Sequence, residues 1–164
     1  PQPSGLTRKQ LLAIGWTVAG LIAAGEALGA SFIFMFPRLK PGGFGGKVVI
    51  GSLNDLNTLL PTPQAVPVYF REPRFYLSRT EDGFLAMWRK CPHLGCVVPW
   101  NQAEDQFHCP CHGSLYDRKG LVLGGPAPRP LDLFPITGEG NNVVVDTGNP
   151  TKRVTYEPSQ AAKL

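Results

Sequence analysis

The sequence predicts an all-β head of short antiparallel strands behind a single apolar helix. Three observations predict it. Residues 74–90 alternate apolar and polar side chains about a central Asp82-Gly83 turn signal. The 164 residues include 19 glycines and 17 prolines, a composition that favours a loop-rich β fold over a helical bundle. Residues 11–36 are almost uninterruptedly apolar.

Residues 1–36 read as an N-terminal segment and membrane anchor, because about 20 apolar residues cross the hydrocarbon core as a helix. A cleaved signal is the alternative, since Arg8 and Lys9 precede the run and Thr7-Arg8-Lys9-Gln10-Leu11-Leu12 looks like a degenerate twin-arginine signal. The run is longer than a signal's apolar region and no Ala-x-Ala site closes it, so a retained single-pass anchor is expected. Glu26 is its one charge and would be costly facing lipid. With Gly25 and Gly29 in GxxxG spacing, it suggests a helix packed against neighbours in a larger complex.

Residues 37–46, with glycines at 42, 43, 45 and 46, read as a flexible hinge. Residues 47–150 form the head. A hairpin is expected across residues 74–90, with further strands at 66–70, 106–108, 131–137 and 142–146 and a second turn at 138–142. Residues 151–164 are polar, contain Pro158, and read as an extended tail. The net charge of +4 is spread along the chain without a basic stripe interleaved with aromatics, so nucleic acid is not an expected partner. No Gly-rich phosphate loop or internal repeat is visible.

The chemistry is concentrated in Cys91-Pro92-His93 and Cys109-Pro110-Cys111-His112. Two thiolates and two imidazoles suit either one tetrahedral zinc or a [2Fe-2S] cluster whose irons carry different ligand types. The other two cysteines, Cys96 and Cys111, each lie inside one ligand loop, a placement for which zinc has no use. The third histidine, His108, precedes Cys109 on an expected strand and is expected to point away from the site.

Residues 91–96, Cys-Pro-His-Leu-Gly-Cys, and 109–116, Cys-Pro-Cys-His-Gly-Ser-Leu-Tyr, resemble the two cluster-binding boxes of Rieske iron-sulfur proteins. The resemblance implies an antiparallel head with an inserted cluster-binding subdomain. Cys91 and Cys109 would hold the inner iron of a [2Fe-2S] cluster, His93 and His112 the outer iron, and Cys96 and Cys111 would form a disulfide. Rieske centres as a class are reduced at roughly −150 to +300 mV, against about −400 mV for all-thiolate plant-type clusters. Ser114 and Tyr116 match positions whose hydroxyls donate to a bridging sulfide and to a ligand thiolate, which raises the potential. Gly125 and Pro126 open a segment similar to the proline loop that covers the cluster, and Leu94 matches a position that inserts toward the partner. Pro92 stands where the family often has threonine, and it lacks both an N–H and a hydroxyl.

With the anchor and tether, the chain resembles the Rieske subunit of cytochrome bc or cytochrome bf complexes, and residues 94–101 are more similar to the bf and related bacterial branch. That resemblance implies an oxidoreductase subunit active within a hetero-oligomeric, dimeric membrane complex, with a cytochrome b subunit, a c-type cytochrome subunit and quinol as partners. His112, and with it His93, would take part in proton-coupled oxidation of quinol. A disulfide persists in an oxidising compartment, so the head is expected on the periplasmic or lumenal side and the N-terminus on the cytoplasmic or stromal side. The alternative is the Rieske carrier of another membrane-associated enzyme, such as an arsenite oxidase; Ser114 and Tyr116 speak against it.

Overall fold

The computed structural model describes residues 5–36 and 44–164, and it divides into an N-terminal and a C-terminal unit. Residues 37–43 of the expected hinge lie outside the described residues.

The N-terminal unit is one helix, α1 (Arg8–Met35). Thr7 caps it: the Gln10 N–H donates to Thr7 Oγ1 and the Thr7 N–H donates to Gln10 Oε1 at 3.0 Å, a reciprocal capping box. The stretch that resembles a degenerate export signal thus spans the start of this helix. At about 1.5 Å per residue, the 28 residues give a length of about 42 Å, more than the roughly 30 Å of hydrocarbon core. No residue of α1 is buried, and a methyl group added at Gly25 or Gly29 would meet nothing within 4 Å. It is the one candidate membrane span among the described residues.

The C-terminal unit contains β1 (Lys47–Ser52), α2 (Leu53–Leu59), β2 (Val68–Phe70), β3 (Phe75–Thr80), β4 (Gly83–Trp88), β5 (Trp100–Asn101), β6 (Gln106–His108), β7 (Leu115–Tyr116), β8 (Val122–Gly124), β9 (Leu133–Phe134), β10 (Ile136–Glu139) and β11 (Asn142–Asp146). They form three antiparallel sheets, β1-β11-β10, β2-β3-β4-β9 and β5-β6-β7-β8. The β3–β4 hairpin lies at the centre, and its alternation sends neighbouring side chains into two different cores. Phe75, Leu77, Phe84 and Ala86 join Leu56, Phe134 and Val145 on one face. Tyr76, Leu85 and Met87 join Phe107, Tyr116 and Leu131 on the other. Leu77 and Met87 are both fully buried, each worth roughly 1.5–3 kcal/mol relative to exposure. Both faces of this sheet are therefore covered, and the second cover is the small sheet that carries the two Cys/His boxes.

The hairpin and the strand at 142–146 form where expected. The expected strand at 131–137 is divided by Pro135, which has no N–H for a ladder, into β9 and β10 in different sheets. Helix α2 was not expected, although Ser52-Leu53-Asn54-Asp55 is a capping box.

Residues 151–164 are not a free tail. Thr151 exchanges backbone hydrogen bonds with Leu133, and Ala162 does so with Phe84, adding pairing to two strands of the central sheet. Arg153 is buried and donates from Nε to Leu131 O at 2.9 Å and from Nη2 to Lys119 O. The polar composition was misleading because this segment's affinity for the head comes from backbone and guanidinium hydrogen bonds. The end of the expected hinge is likewise tied to the head. The Gly45 and Gly46 N–H groups donate to Thr147 Oγ1 at 2.9 and 3.2 Å, and Phe44 stacks on Trp88 with ring centroids 5.7 Å apart.

Candidate metal centre

The two boxes are built alike. In the first loop the Cys91 N–H donates to Cys96 O at 2.8 Å and the Gly95 N–H donates to Cys91 O at 2.9 Å. In the second, the Cys109 N–H donates to Ser114 O at 2.8 Å and the Gly113 N–H donates to Cys109 O at 3.0 Å. Each cysteine thus closes its loop with the residues four and five places on. The turning glycine has a left-handed φ in both cases, 82° at Gly95 and 73° at Gly113, a conformation that glycine adopts without strain. This equivalence was not read from the sequence, though a glycine four residues after each first cysteine is its signal. The first loop departs from the end of β4 and the second from the end of β6. The Cys96–Cys111 disulfide joins them, with Cα atoms 6.6 Å apart.

This construction brings the four expected ligand residues together. Cys91 and Cys109 are free and buried, whereas His93 is half-buried and His112 exposed. The two imidazole rings lie 4.8 Å apart, centroid to centroid, at 86°. Cys109 Sγ also lies within 4.8 Å of the sulfurs of Cys96 and Cys111, but those are bonded to each other and offer no thiolate. His108 is engaged elsewhere: its Nδ1 is 3.1 Å from Glu104 Oε2.

Burial pushes the Cys91 thiol up, but the hydrogen bonds of the Tyr116 hydroxyl and the His93 N–H together leave it below its ordinary value. Burial and the neighbouring Cys91 sulfur hold the Cys109 thiol above its own. The Tyr116 hydroxyl, in a fully buried side chain, lies 3.1 Å from Cys91 Sγ; burial first, then Cys91, raises its pKa far above the usual phenol range. Ser114 is also fully buried. Its Oγ is near enough to Cys91 and Tyr116 to lower the pKa of both, yet it completes a hydrogen bond of good geometry with neither.

A buried hydroxyl without a partner costs stability unless an acceptor is supplied from outside the chain. Ser114, two free buried thiols and two adjoining imidazoles therefore fit a cluster that brings its own sulfide acceptors and takes both sulfur and nitrogen ligands. A lone tetrahedral zinc would take the four ligands but bring no acceptor of its own for Ser114.

Gly125, at the start of the expected proline loop, rests on the second box. A Cβ there would lie 2.5 Å from Ser114 Cα and 2.6 Å from Gly113 O. Pro126 is exposed, and Ala127 is buried in the core that also holds Cys91, Cys109 and Tyr116. Leu94 projects from the first loop with 70% of its surface exposed. Pro92 is half-buried within the same loop.

The chain is similar to proteins of a known family. A profile of the Rieske [2Fe-2S] domain matches residues 48–135. The chain is 40% identical over 136 residues to the cyanelle cytochrome b6-f complex iron-sulfur subunit 2 of Cyanophora paradoxa, a match covering 75% of this chain and 54% of that protein. It therefore spans about half the length of that relative. With cytochrome b6-f complex iron-sulfur subunit 1 of Synechocystis sp. it shares 37% identity over 147 residues, covering 82% of this chain and 81% of the relative. Among solved structures it is similar to a chain of a hyperthermophilic respiratory Complex III, with 28% identity, 80% of this chain and 98% of that chain covered, and a TM-score of 0.42.

Proposed function

Because this chain belongs to the Rieske [2Fe-2S] family, we propose that it is the iron-sulfur subunit of a membrane oxidoreductase that withdraws electrons from quinol beside a cytochrome b and passes them to a c-type cytochrome. The observation that carries this reading is the combination of the two-thiol, two-imidazole set with the Tyr116 hydroxyl 3.1 Å from the Cys91 sulfur. Cys91 and Cys109 would hold one iron, and His93 and His112 the other. When bound, the [2Fe-2S] cluster supplies a one-electron acceptor, made more oxidising by imidazole ligands and by hydrogen bonds from Tyr116 and Ser114.

The chain's own residues account for the remaining steps. His112 is the exposed member of the set, so its non-ligating ring nitrogen can accept the proton that leaves a quinol hydroxyl. Leu94, exposed beside His93, provides an apolar tip for seating in the cytochrome b subunit. Gly125, Pro126 and the buried Ala127 keep water from the sulfur side. The helix α1 anchors the subunit in a hetero-oligomeric complex, with the head on the periplasmic or lumenal side where the disulfide persists. The expected hinge at 37–46 would let the head travel between donor and acceptor, and its last two glycines, 45 and 46, are tied to the head through Thr147.

Purification in mild detergent tests the proposal. Cytochromes b and c are expected to accompany the chain, which should contain two irons and titrate at or above roughly +100 mV, in the upper part of the class range. A chain that purifies alone, carries zinc, or titrates near the bottom of that range would overturn it.

A further inference from the structure

We propose that a basic cleft flanking the first ligand loop is the seat for an acidic protein surface on the electron acceptor, with Lys90 and Lys152 as its two contacts. This rests on the electron-transfer reading above.

The cleft has a volume of about 380 Å³, and Lys90, His93, Arg129, Asp132 and Lys152 contribute to its walls. Asp132 is the only carboxylate among the described residues that line it, and it is already neutralised. Its Oδ1 pairs with Arg129 Nη1, and its Oδ2 accepts from Arg129 Nη2 at 3.1 Å. Lys90 and Lys152 are both exposed, and among the described residues neither takes part in an ion pair. Two uncompensated positive charges therefore face one concavity.

Lys90 is not a freely moving charge. Its ammonium sits over the Trp88 ring, 5.0 Å from the centroid, and a Cβ at Gly95 would lie 3.0 Å from its Cε. The side chain is thus laid across the turn that closes the first ligand loop. An anion held by Lys90 touches the same loop that carries Cys91 and His93, which places a bound oxidant beside one of the two expected histidine ligands.

A redox protein gains most from this position. Opposite charge around a cleft raises association rates by about 10- to 1000-fold, and the gain vanishes as salt shortens the screening length. A lipid headgroup in the same place would block His93 without receiving the electron. The electron acceptor is therefore the occupant that the cleft's position favours.

The test uses the full-length, cluster-containing chain in detergent, reduced with dithionite, and the double variant Lys90→Glu/Lys152→Glu. One electron passes from the reduced chain to ferricyanide, a trianion, or to tris(phenanthroline)cobalt(III), a trication, and no atom is transferred. At low salt the double variant should react with ferricyanide about tenfold more slowly, or slower still, and with the cobalt complex faster. Both differences should collapse as salt is added.

Independently of electron transfer, a fluorescent polyglutamate peptide should bind the wild type and lose at least about tenfold in affinity in the double variant, read by anisotropy. Lys47→Glu is the control, because Lys47 is already paired with Glu139 at 2.9 Å, and it should leave both measurements unchanged. Unchanged ferricyanide rates and peptide binding in the double variant would overturn the inference. So would loss of binding to phosphatidylglycerol vesicles with peptide binding intact, which would assign the cleft to the membrane. Absence of the cluster's EPR signal from the wild type would instead sink the electron-transfer reading, leaving the peptide measurement to judge the cleft alone.

Discussion

The Tyr116 hydroxyl and the Cys91 sulfur are 3.1 Å apart inside a core where both side chains are almost wholly buried. Tyr116 ends both β7 and the second box, while Cys91 opens the first, so this contact couples two residues 25 places apart. A phenol donating to a ligand thiolate stabilises the electron-rich reduced state. Tyr116→Phe keeps the buried shape and removes only the donor. The midpoint potential should fall by about 60 mV, the equivalent of about 1.4 kcal/mol in a one-electron couple. An unchanged potential in a redox titration would show that the hydroxyl does not serve the cluster.

Ser114 makes a second prediction of a different kind, because its buried Oγ has no partner among the described residues. Ser114→Ala should leave the cluster-free chain as stable as before, or slightly more so, since an unpaired buried hydroxyl disappears. In the loaded protein the same change should lower the potential by an amount similar to that for Tyr116→Phe. Denaturation of the cluster-free form and titration of the loaded form separate the two effects.

Gly125→Ala tests the cover over the second box. With φ at +89° and a Cβ that would come within 2.5 Å of Ser114 Cα, the backbone has to move. A destabilisation of about 1–3 kcal/mol and faster bleaching of the cluster in air are expected. Bleaching at the wild-type rate would mean that this loop does not shield the site.

Arg153→Ala tests whether the C-terminal segment belongs to the head. The change deprives Leu131 O and Lys119 O of their guanidinium donors in a buried setting. A loss of roughly 2–4 kcal/mol in urea denaturation is expected, with proteolysis beginning in the last residues. A free tail would show neither.

The start of α2 gives a pH dependence. The Ser52 N–H and hydroxyl donate to Asp55 Oδ2 at 2.8 and 2.7 Å, and these bonds hold the carboxyl below its ordinary value of 3.8. The unfolded chain then binds the proton more tightly than the folded one. The stabilisation is complete above the ordinary value and is lost as the pH falls through the lowered one. The difference in melting temperature between wild type and Asp55→Asn should be constant near neutral pH and shrink from about pH 4 downward. A difference that widened on acidification would refute the assignment.

The two Cys/His boxes were legible because residue type and spacing are local properties, and Cys91 and Cys109 each stand four residues before a turning glycine. The β3–β4 hairpin was legible for a similar reason: alternation and an Asp-Gly turn are properties of adjacent residues. The division of residues 131–137 was signalled by Pro135, but the assignment of its halves to two sheets depends on distant partners, Met87 for one and Val145 for the other.

By itself, the sequence determined the candidate ligand set, the long apolar helix and the antiparallel character of the head, because features of this kind are written in short-range pattern. Only the tertiary structure decided that both faces of the central hairpin are buried, that residues 151–164 pair with Leu133 and Phe84, and that Lys90 and Lys152 share a cleft beside His93. Those outcomes depend on contacts between segments tens of residues apart. Such contacts form when hydrogen bonding and burial together repay the entropy of closing long loops, a balance that no local window of residues contains.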